Sequence, residues 1–245
     1  MKLNEITIIV PTKNEARNIP LLLGSLPPEC PLIVVDNSAD ETREIIHAQR
    51  PDNTRIIIHP GNIPAARQAG AEAARTAWLL FTDADVHFAS DYFGNLNHYE
   101  TCDLIYGTKA SQGQFDRYYL NFKKGQKFFS LLDIPTVSGS NFIIRRNVLE
   151  AIGGFDLLLS VNEDSEIGFR VQKSGYEVCF AENLVVFEHD HRRLQRGRLR
   201  KTLHSLLRCS LLYLGLFPST LRKGDWGYWS KSDESNKSVW KFTAQ

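Results

Sequence analysis

The sequence predicts an α/β fold, in which a Rossmann-like mixed sheet is flanked by helices and followed by a C-terminal helical extension. Short apolar, β-branched runs alternate with helical patterns through the first half of the chain, which indicates βαβ units. Each run is continuous enough to predict a strand that is buried on both faces. The four runs are "ITIIV" (6–10), "LIVVD" (32–36), "RIIIH" (55–59) and "WLLFTD" (78–83).

The helices between these strands have recognisable start signals. The first is predicted around residues 19–26. The segment 38–49 offers Ser38 or Asp40 as its N-cap, followed by acids in the first turn. The Ala-rich segment 64–75 begins with proline, which is favoured at the first position of a helix.

The second half of the chain has a less regular pattern. A helix that begins at Glu163 is expected to stop at Gly175. The predicted elements are a strand at 104–107, a helix within 110–134, a loop and strand over 138–146, helices at 147–155 and 163–176, strands at 177–180 and 184–189, and a helix at 194–214.

The composition is that of an ordinary globular protein. Of the 245 residues, 42% are hydrophobic and 23% are charged, so a sizeable core is possible. The formal net charge of +1 provides no whole-protein field that would attract nucleic acid. The four cysteines are scattered, so neither a zinc site nor a disulfide framework is predicted, and a reducing, cytoplasmic setting is expected. No signal-peptide pattern or apolar run of about 18 residues occurs, so no membrane span is expected.

Polar residues follow several of the predicted strands at the point where each strand ends. Asp36, His59 and Asp83 occupy such positions, and the stretch 12–14 follows the first strand. In open α/β sheets, ligands bind outside the carboxyl ends of the strands. We therefore expect a ligand site at this edge of the sheet.

Asp83 and Asp85 stand one residue apart in "LLFTDADVHF" (79–88), at the end of an apolar run. If this stretch remains extended, the two side chains point to the same side. Two like charges this close resist double ionisation, and a divalent cation such as Mg²⁺ or Mn²⁺ removes the conflict. The alternative is a solvated loop in which both acids contact only water.

The sequence resembles the family 2 glycosyltransferases, which have the GT-A nucleotide-sugar-binding fold, over roughly residues 4–200. Each matching motif is weak alone, but the ordered series is specific. The motifs are "IIVPTKNEARNI", "VVDNSADET", "NIPAARQAGAEAA", "FTDADV", "GSNFIIRRNVLEAIGGFD" and "NEDSEIGFRVQKSGYEV". The resemblance implies a GT-A type sheet and transfer of a sugar from a nucleotide-diphospho-sugar to an unknown acceptor hydroxyl, such as that of a glycan, a lipid or a cell-envelope precursor.

The resemblance also implies a division of the chain. A glycosyltransferase domain is expected at 1–190, with a nucleotide-binding half at 1–108 and an acceptor and catalytic half at 109–190. A basic C-terminal helix at 191–221 and a polar tail at 222–245 are expected to follow.

The resemblance implies that an Mg²⁺ or Mn²⁺ ion binds at the Asp-x-Asp motif. Asp85 would ligate the metal, while Asp83 would contact the ribose or the water shell of the metal. His189, at the end of another predicted strand, is a candidate third ligand, and a packing or surface histidine is the alternative. A bound metal would stabilise the leaving diphosphate as a Lewis acid.

Five residues are implied to bind the nucleotide together with Asp83. Pro11 and Thr12 would shape the loop, and Asp36 would accept a hydrogen bond from a base N–H. Arg67 would support the base or a phosphate through its planar donors. Glu15 would contact the nucleotide, with an ordinary first-turn helix acid as the alternative.

Asp164 is implied to be the general base of an inverting displacement, since an acceptor hydroxyl has a high pKa. Glu163 would bind the acceptor or orient the loop. Acids at a helix N-terminus also compensate the helix dipole, which is the alternative for both residues. Ser138, Gly139 and Ser140 would line the sugar or acceptor pocket.

Two features near the C-terminus bear on the acceptor. Processive members of the family have a Q-x-x-R-W motif before membrane helices, whereas here Leu199 replaces the tryptophan, which favours transfer of a single sugar. The basic segment 192–208 contains spaced leucines. It could bind peripherally to the inner face of an anionic membrane, hold the diphosphate as a packing helix, or form a solvated face.

Two other functions are compatible with an α/β frame of this kind. A nucleotidyltransferase acting on sugar phosphates would have a Gly-rich basic loop after the first strand, but "PTKNEARN" lacks glycine. A non-catalytic sugar-binding protein would not need the complete set of Asp36, Asp85 and Asp164.

Overall fold

The computed structural model describes residues 1–113, 115–159, 161–190 and 198–217, with the side chains of residues 198–204 left aside. The predicted polar tail at 222–245 and the first part of the predicted basic segment, 192–197, lie outside the described residues.

The fold is organised around one sheet of eight strands in the order β3-β2-β1-β4-β7-β6-β8-β5. Strands β3, β2, β1 and β4 are parallel, β7 is antiparallel to both of its neighbours, and β5 is antiparallel to β8. The strands are β1 (Ile6–Thr12), β2 (Leu32–Asp36), β3 (Thr54–Ile58), β4 (Trp78–Phe81), β5 (Val86–Phe88), β6 (Leu104–Ala110), β7 (Phe142–Arg145) and β8 (Val178–Glu188).

Helices cover both faces of the sheet. The described α-helices are α1 (Ile19–Ser25), α2 (Thr42–Gln49), α3 (Ile63–Ala73), α4 (Tyr92–Asn95), α5 (Asp116–Ser130), α6 (Arg146–Ala151), α7 (Glu163–Lys173) and α8 (Arg198–Tyr213). Short 3-10 turns occur at Leu3–Glu5 and Leu96–Tyr99. None of the described helices has both the length and the apolar character that crossing a bilayer requires.

The core is divided into two apolar clusters by the sheet. Ile8 and Val10 of β1 belong to the cluster that contains residues of α1, α2 and α4, whereas Ile9 belongs to the one that contains residues of α3, α6 and α7. Successive side chains of a strand point to opposite faces, so a strand that contributes to both clusters must be apolar throughout. This requirement explains the uninterrupted apolar runs in the first half of the sequence.

Helix α3 packs unusually close to the sheet at Gly70. A side chain at this position would overlap the Ile9 side chain and would approach a methyl group of Val35 to 3.3 Å. The start of the helix is fixed by Asn62, whose side chain accepts a hydrogen bond from the backbone N–H of Ala65 (3.0 Å). The close contact and the cap together determine where the next side chains of α3, including Arg67, lie.

The predicted strands are present, and the structure differs from the predictions in two strands. Strand β5 has only three residues and is stabilised by pairing with β8, which no local pattern in the sequence indicates. The two predicted strands at 177–180 and 184–189 form one strand, β8, with a register shift opposite Gly107 and Thr108 of β6. Residue 108, the predicted boundary between the two functional halves, lies within β6, and this division stays a prediction.

The expectation that the cysteines form no disulfide was wrong. Cys102 and Cys179 are bonded to each other across 77 residues of sequence, while Cys30 and Cys209 are free thiols. The pairing arises because β6 and β8 are neighbours in the sheet, with Ile105 opposite Cys179. Spacing along the chain does not reveal such a contact, and the cysteine pattern therefore gives no support to a reducing compartment.

The disulfide is expected to stabilise the fold by closing a long loop. Reduction with dithiothreitol should lower the free energy of unfolding by about 2–4 kcal/mol, because the unfolded chain regains the entropy that the cross-link removes. Urea denaturation followed by circular dichroism measures the difference. In the Cys179→Ser variant, the reductant should have no further effect. Four free thiols in the denatured, unreduced protein would contradict the pairing.

Candidate active site

The carboxyl ends of β1 and β2 meet at Thr12 and Asp36, which are partners in the parallel register. The Asp36 carboxylate is fully buried, and it accepts hydrogen bonds from the Thr12 hydroxyl (2.6 Å) and from the Ser38 hydroxyl (2.6 Å) and backbone N–H (3.1 Å). The guanidinium of Arg43 lies 3.6 Å away. In this conformation Asp36 holds the two loops in place, and its predicted contact with a nucleotide base stays a prediction.

The loop after β1 is tied to the loop after β2 by reciprocal hydrogen bonds. The Asn14 backbone N–H donates to the Ser38 hydroxyl (2.8 Å), and the Asn14 side chain accepts from the Ala39 backbone N–H (2.8 Å). The Glu15 backbone N–H donates to the Thr42 hydroxyl (3.0 Å). Glu15 precedes α1 and its N-cap, Asn18, so it is not a first-turn helix acid. Pro11 and Thr12 end β1 immediately before this loop.

The Asp-x-Asp motif lies in a turn between β4 and β5, rather than in the extended conformation considered from the sequence. Both carboxylates are half-buried. The carbonyl oxygen of Asp85 accepts a hydrogen bond from the backbone N–H of His189 (2.9 Å), because β5 pairs with the end of β8. The short strand β5 therefore brings the two predicted metal ligands next to each other.

His87, which the sequence patterns did not single out, lies beside this pair. Its Nδ1 is 2.5 Å from Nε2 of His189, and the two ring centroids are 4.7 Å apart with 24° between the ring planes, so the rings meet edge to edge. Burial and the neighbouring His189 lower the pKa of His87. A hydrogen bond between neutral imidazoles fixes the tautomer of each ring, which is the usual role of a residue that orients a metal-binding histidine.

A metal site at Asp85 and His189 would need further ligands. Within the described residues, three His, Cys, Asp or Glu ligand atoms converge only at Cys102, Glu177 and Cys179, where the two sulfurs form the disulfide. Asp85 offers a carboxylate oxygen and His189 an imidazole nitrogen. These two ligands suit Mn²⁺ or Mg²⁺ if oxygen atoms of a bound molecule and of water complete the coordination of the metal.

Arg67 joins three segments of the site. Its guanidinium is buried, is in direct contact with the Glu163 carboxylate, and donates to the carboxylate of Asp83 (2.8 Å) and the carbonyl oxygen of Gly139 (3.0 Å). A side chain at position 139 would overlap this guanidinium, which explains the glycine. In this conformation Arg67 is a positioning residue, and its predicted contact with a nucleotide stays untested.

Asp164 is held by backbone donors at the N-terminus of α7. Its carboxylate accepts hydrogen bonds from the N–H groups of Gly139 (2.6 Å) and Ser165 (2.7 Å). The Ser165 hydroxyl also donates to this carboxylate (3.4 Å), and since an ionised carboxylate offers about four acceptor positions, it can still accept from a further partner. The side chain is half-buried and borders the main cavity, so it is oriented and still accessible from the cavity.

Glu163, the neighbouring acid, has a strongly shifted pKa. Burial raises the pKa of Glu163 to about 7; the Arg67 guanidinium opposes this effect, and the nearby carboxylate of Asp164 adds to it. The buried guanidinium of Arg67 therefore lies near three carboxylates, those of Glu163, Asp164 and Asp83.

Arg208 of α8 supports the turn that precedes these two acids. It is fully buried, and its guanidinium donates to the side-chain oxygen of Asn162 (3.2 Å) and to the carbonyl oxygen of Val161 (3.3 Å). Asn162 has a left-handed backbone conformation, with φ 67°, which a hydrogen-bonded side chain stabilises. At this residue the predicted basic helix is a packing element and not a solvated face.

A cavity of about 730 Å³ opens beside Asp164. Polar groups line one end, namely Arg67, Asp83, Lys109, Ser138, Gly139, Glu163 and Asp164. Aromatic and aliphatic side chains of α5, α7 and α8 line the rest. A volume of this size matches the usual range of small-molecule sites in proteins.

Lys109 was missed by the sequence patterns, although it stands at the end of β6 and points at the site. Its ammonium group lies 2.9 Å from the Glu188 carboxylate. Burial lowers the pKa of Lys109, but Glu188 and the two acids of the Asp-x-Asp motif together raise it above its ordinary value. The site therefore contains a permanent cation near both aspartates.

The structure brings some of the predicted residues together and leaves others apart. Ser138 and Gly139 border the cavity with Glu163 and Asp164, whereas Ser140 does not. Ser140 is buried, and its carbonyl oxygen accepts a hydrogen bond from the Thr82 hydroxyl (2.9 Å). The predicted nucleotide and metal residues outside the cavity lining are Pro11, Thr12, Glu15, Asp36, Asp85 and His189.

Comparison with known families gives a match over more than half of the chain. A family model described as "Glycosyl transferase family 2" matches residues 7–153. The pre-mycofactocin glycosyltransferase of Mycobacterium tuberculosis is 23% identical over 205 residues, which cover 77% of this chain and 43% of that protein. The chain thus spans less than half the length of this curated relative.

Solved structures show the same architecture. Mannosyltransferase PcManGT from Pyrobaculum calidifontis, in complex with GDP-Man and Mn²⁺, superposes with a TM-score of 0.65 at 21% identity, covering 82% of this chain and 62% of that one. S. aureus TarS 1–349 in complex with UDP-GlcNAc gives a TM-score of 0.59 at 15% identity, covering 94% and 77% respectively. The predicted GT-A type fold is confirmed by these similarities.

The raised pKa of Glu163 predicts a pH-dependent stability. Because the folded-state pKa of about 7 exceeds the ordinary value of 4.5, the native protein binds more protons between these two values than the unfolded chain does. The free energy of unfolding should therefore decrease as pH rises through this window, by about 1 kcal/mol per pH unit at most. The Glu163→Gln variant lacks this titration and should show a flatter profile.

Urea denaturation of both proteins across this pH range measures the difference between their slopes. Glu150→Gln is the matched control, since Glu150 is an exposed partner of Arg146 and its replacement should leave the slope unchanged. Parallel profiles for wild type and Glu163→Gln would contradict the assigned pKa.

Proposed function

Because the chain belongs to glycosyl transferase family 2, we propose that it transfers a single sugar from a nucleotide-diphospho-sugar to an acceptor hydroxyl, with inversion and with a divalent metal. The observation that best supports this proposal is the position of the Asp164 carboxylate. It is fixed by two backbone N–H groups, accessible from the cavity, and connected through Gly139 and Arg67 to the Asp-x-Asp motif.

Asp164 is the proposed general base. A hydroxyl group that enters the cavity within hydrogen-bond reach of the free acceptor positions of Asp164 would transfer its proton there as its oxygen attacks the sugar. The two backbone donors restrict the carboxylate to one orientation, which reduces the entropy lost on reaching the reactive geometry. Glu163, bound to Arg67, orients the loop in this proposal instead of exchanging protons with the acceptor.

Asp85 and His189 would hold the divalent metal, with His87 orienting His189. When bound, the metal would supply Lewis-acid stabilisation of the diphosphate leaving group. Lys109 lies near both aspartates and would add a fixed positive charge beside the same group. Asp83 is hydrogen-bonded to Arg67, and its remaining acceptor positions are available to a ribose hydroxyl.

The similar proteins support a nucleotide-sugar donor without specifying it. One solved neighbour was determined with GDP-Man and Mn²⁺, and another with UDP-GlcNAc. Their bases and sugars differ, so the proposal extends to the donor class and not to one donor. The expected cytoplasmic location and binding to the inner face of a membrane stay predictions.

Replacement of the proposed base should abolish transfer. Asp164→Asn keeps the size of the side chain but removes its ability to take a proton, so turnover should fall by about 10²–10⁴-fold. The measurement is release of free nucleotide from GDP-mannose, UDP-GlcNAc and UDP-glucose with Mn²⁺. Binding of the donor, followed by calorimetry, should survive.

Glu166→Gln is the matched control, because Glu166 is in the same turn of α7 but pairs with Arg170. Its turnover should stay close to that of the wild type. Near-normal turnover of Asp164→Asn would exclude Asp164 as the base.

Removal of the proposed metal ligand should uncouple nucleotide binding from the metal. In Asp85→Ala, the nucleotide affinity measured by calorimetry should no longer increase on addition of Mn²⁺, while the affinity without metal should be retained. Asp91→Ala, which changes an exposed aspartate outside the site, is the control. An unchanged Mn²⁺ effect in Asp85→Ala would count against the assigned ligand.

A further inference from the structure

The apolar end of the cavity is built by one face of α5. Tyr118, Phe122, Gly125 and Phe129 all border the cavity, and their spacing places them on a single side of the helix. Three of the four are large aromatic residues, and the glycine leaves space between them. An added Cβ at Gly125 would have no other atom within 4 Å.

Helix α5 is anchored by polar contacts of two residues that also border the cavity, Tyr119 and Gln126. The Gln126 side chain donates to the carbonyl oxygens of Gly107 (3.3 Å) and Thr136 (3.0 Å). The Tyr119 hydroxyl is hydrogen-bonded to the Glu188 carboxylate. These contacts fix the helix, and its aromatic face lines the cavity beside them.

Exposed apolar side chains are concentrated on the two helices that border the cavity. Eight of the twelve large hydrophobic side chains that are exposed among the described residues lie on α5, on α8 or in the turns that follow them. They are Leu120, Phe128, Leu131, Leu132, Leu206, Leu207, Leu214 and Leu216. Leu131 is 79% exposed, and Leu214 and Leu216 are each 64% exposed. Leu206 and Leu214 also line the cavity. Isolated exposed leucines are ordinary, but their concentration on the helices beside a cavity indicates a binding surface.

We propose that this cavity binds the hydrocarbon chain of an amphiphilic acceptor, whose hydroxyl-bearing head then lies at Asp164. The inference rests on the proposed function and adds the substrate class. The polar end of the cavity contains Asp164, Lys109 and Ser138, while the α5 end offers aromatic and aliphatic surface. A molecule that is polar at one end and apolar at the other satisfies both ends.

A wholly polar acceptor would fit the cavity poorly. The rings of Phe122 and Phe129 offer no hydrogen bond to the hydroxyl groups of a glycan, so such groups would depend on the few polar side chains of the lining, among them Asn121, Ser205 and Ser210. A hydrocarbon chain is stabilised by each CH₂ group that it buries against apolar surface. The exposed leucines on α5 and α8 would then contact the lipid surface from which the acceptor comes.

The experiment uses a hydrocarbon probe that does not depend on catalysis. The fluorescence of cis-parinaric acid increases when its chain leaves water, so a titration of the full chain reports occupation of an apolar site. Competition by n-octyl glucoside and by methyl glucoside compares a chain-bearing molecule with the same head group alone. We expect saturable binding that n-octyl glucoside displaces and methyl glucoside does not.

Three variants locate the probe. Gly125→Phe fills the space beside α5 and should weaken binding by about tenfold or more. Gly125→Ala also raises the helix propensity at this position but does not fill the cavity, and should bind like the wild type. Gly24→Phe adds the same ring to an exposed glycine of α1 that also has no atom within 4 Å, and should change nothing.

The outcomes separate this inference from the proposed function. Calorimetry with Mn²⁺ and nucleotide is performed on the same preparations. If the nucleotide binds but the probe does not, or if Gly125→Phe binds the probe as the wild type does, the amphiphilic acceptor is excluded and the glycosyltransferase proposal stands. Equal losses in Gly125→Phe and Gly24→Phe would likewise exclude the cavity as the site. If the probe binds and no nucleotide does, the proposed function fails.

Discussion

The ion pairs of the buried Arg67 guanidinium are the interaction on which the rest of the site depends. One side chain on α3 contacts Glu163 of α7, Asp83 after β4 and the carbonyl oxygen of Gly139. Loss of one partner from a buried ion pair leaves an uncompensated charge, which costs about 3–5 kcal/mol. The three segments are therefore held as one unit, and movement of any of them carries a large energetic penalty.

The position of Arg67 follows from features of the sequence close to it. The Asn62 cap fixes where α3 begins, and Gly70 allows the helix to approach Ile9 of β1 without a clash. Arg67 lies one turn before Gly70, at the edge of the sheet where the strands end. Gly70 thus determines how Arg67, one turn earlier on α3, reaches carboxylates on segments that are distant in sequence.

Much of the first half of the fold could be predicted from the sequence, because its strands are buried on both faces and leave a strong apolar signal. Strand β5, His87 and the Cys102–Cys179 bond could not be predicted, because each depends on the pairing of β5 or β6 with β8. Asp36 and Arg67 were predicted to contact a nucleotide, which stays a prediction. Their burial and their protein partners could not be predicted, because both appear only in the folded chain.

The two sides of the site are stabilised by different interactions. The first half of the chain is built on continuous apolar strands, whose packing tolerates little change. Around the cavity, α5 is anchored through Tyr119 and Gln126, and α8 through Arg208 to the turn before Glu163. These few polar contacts fix each helix while leaving its apolar residues free to line a cavity. The shape and polarity of the cavity can therefore change by substitution on α5 and α8, without disturbing the Arg67 network or the sheet beneath it.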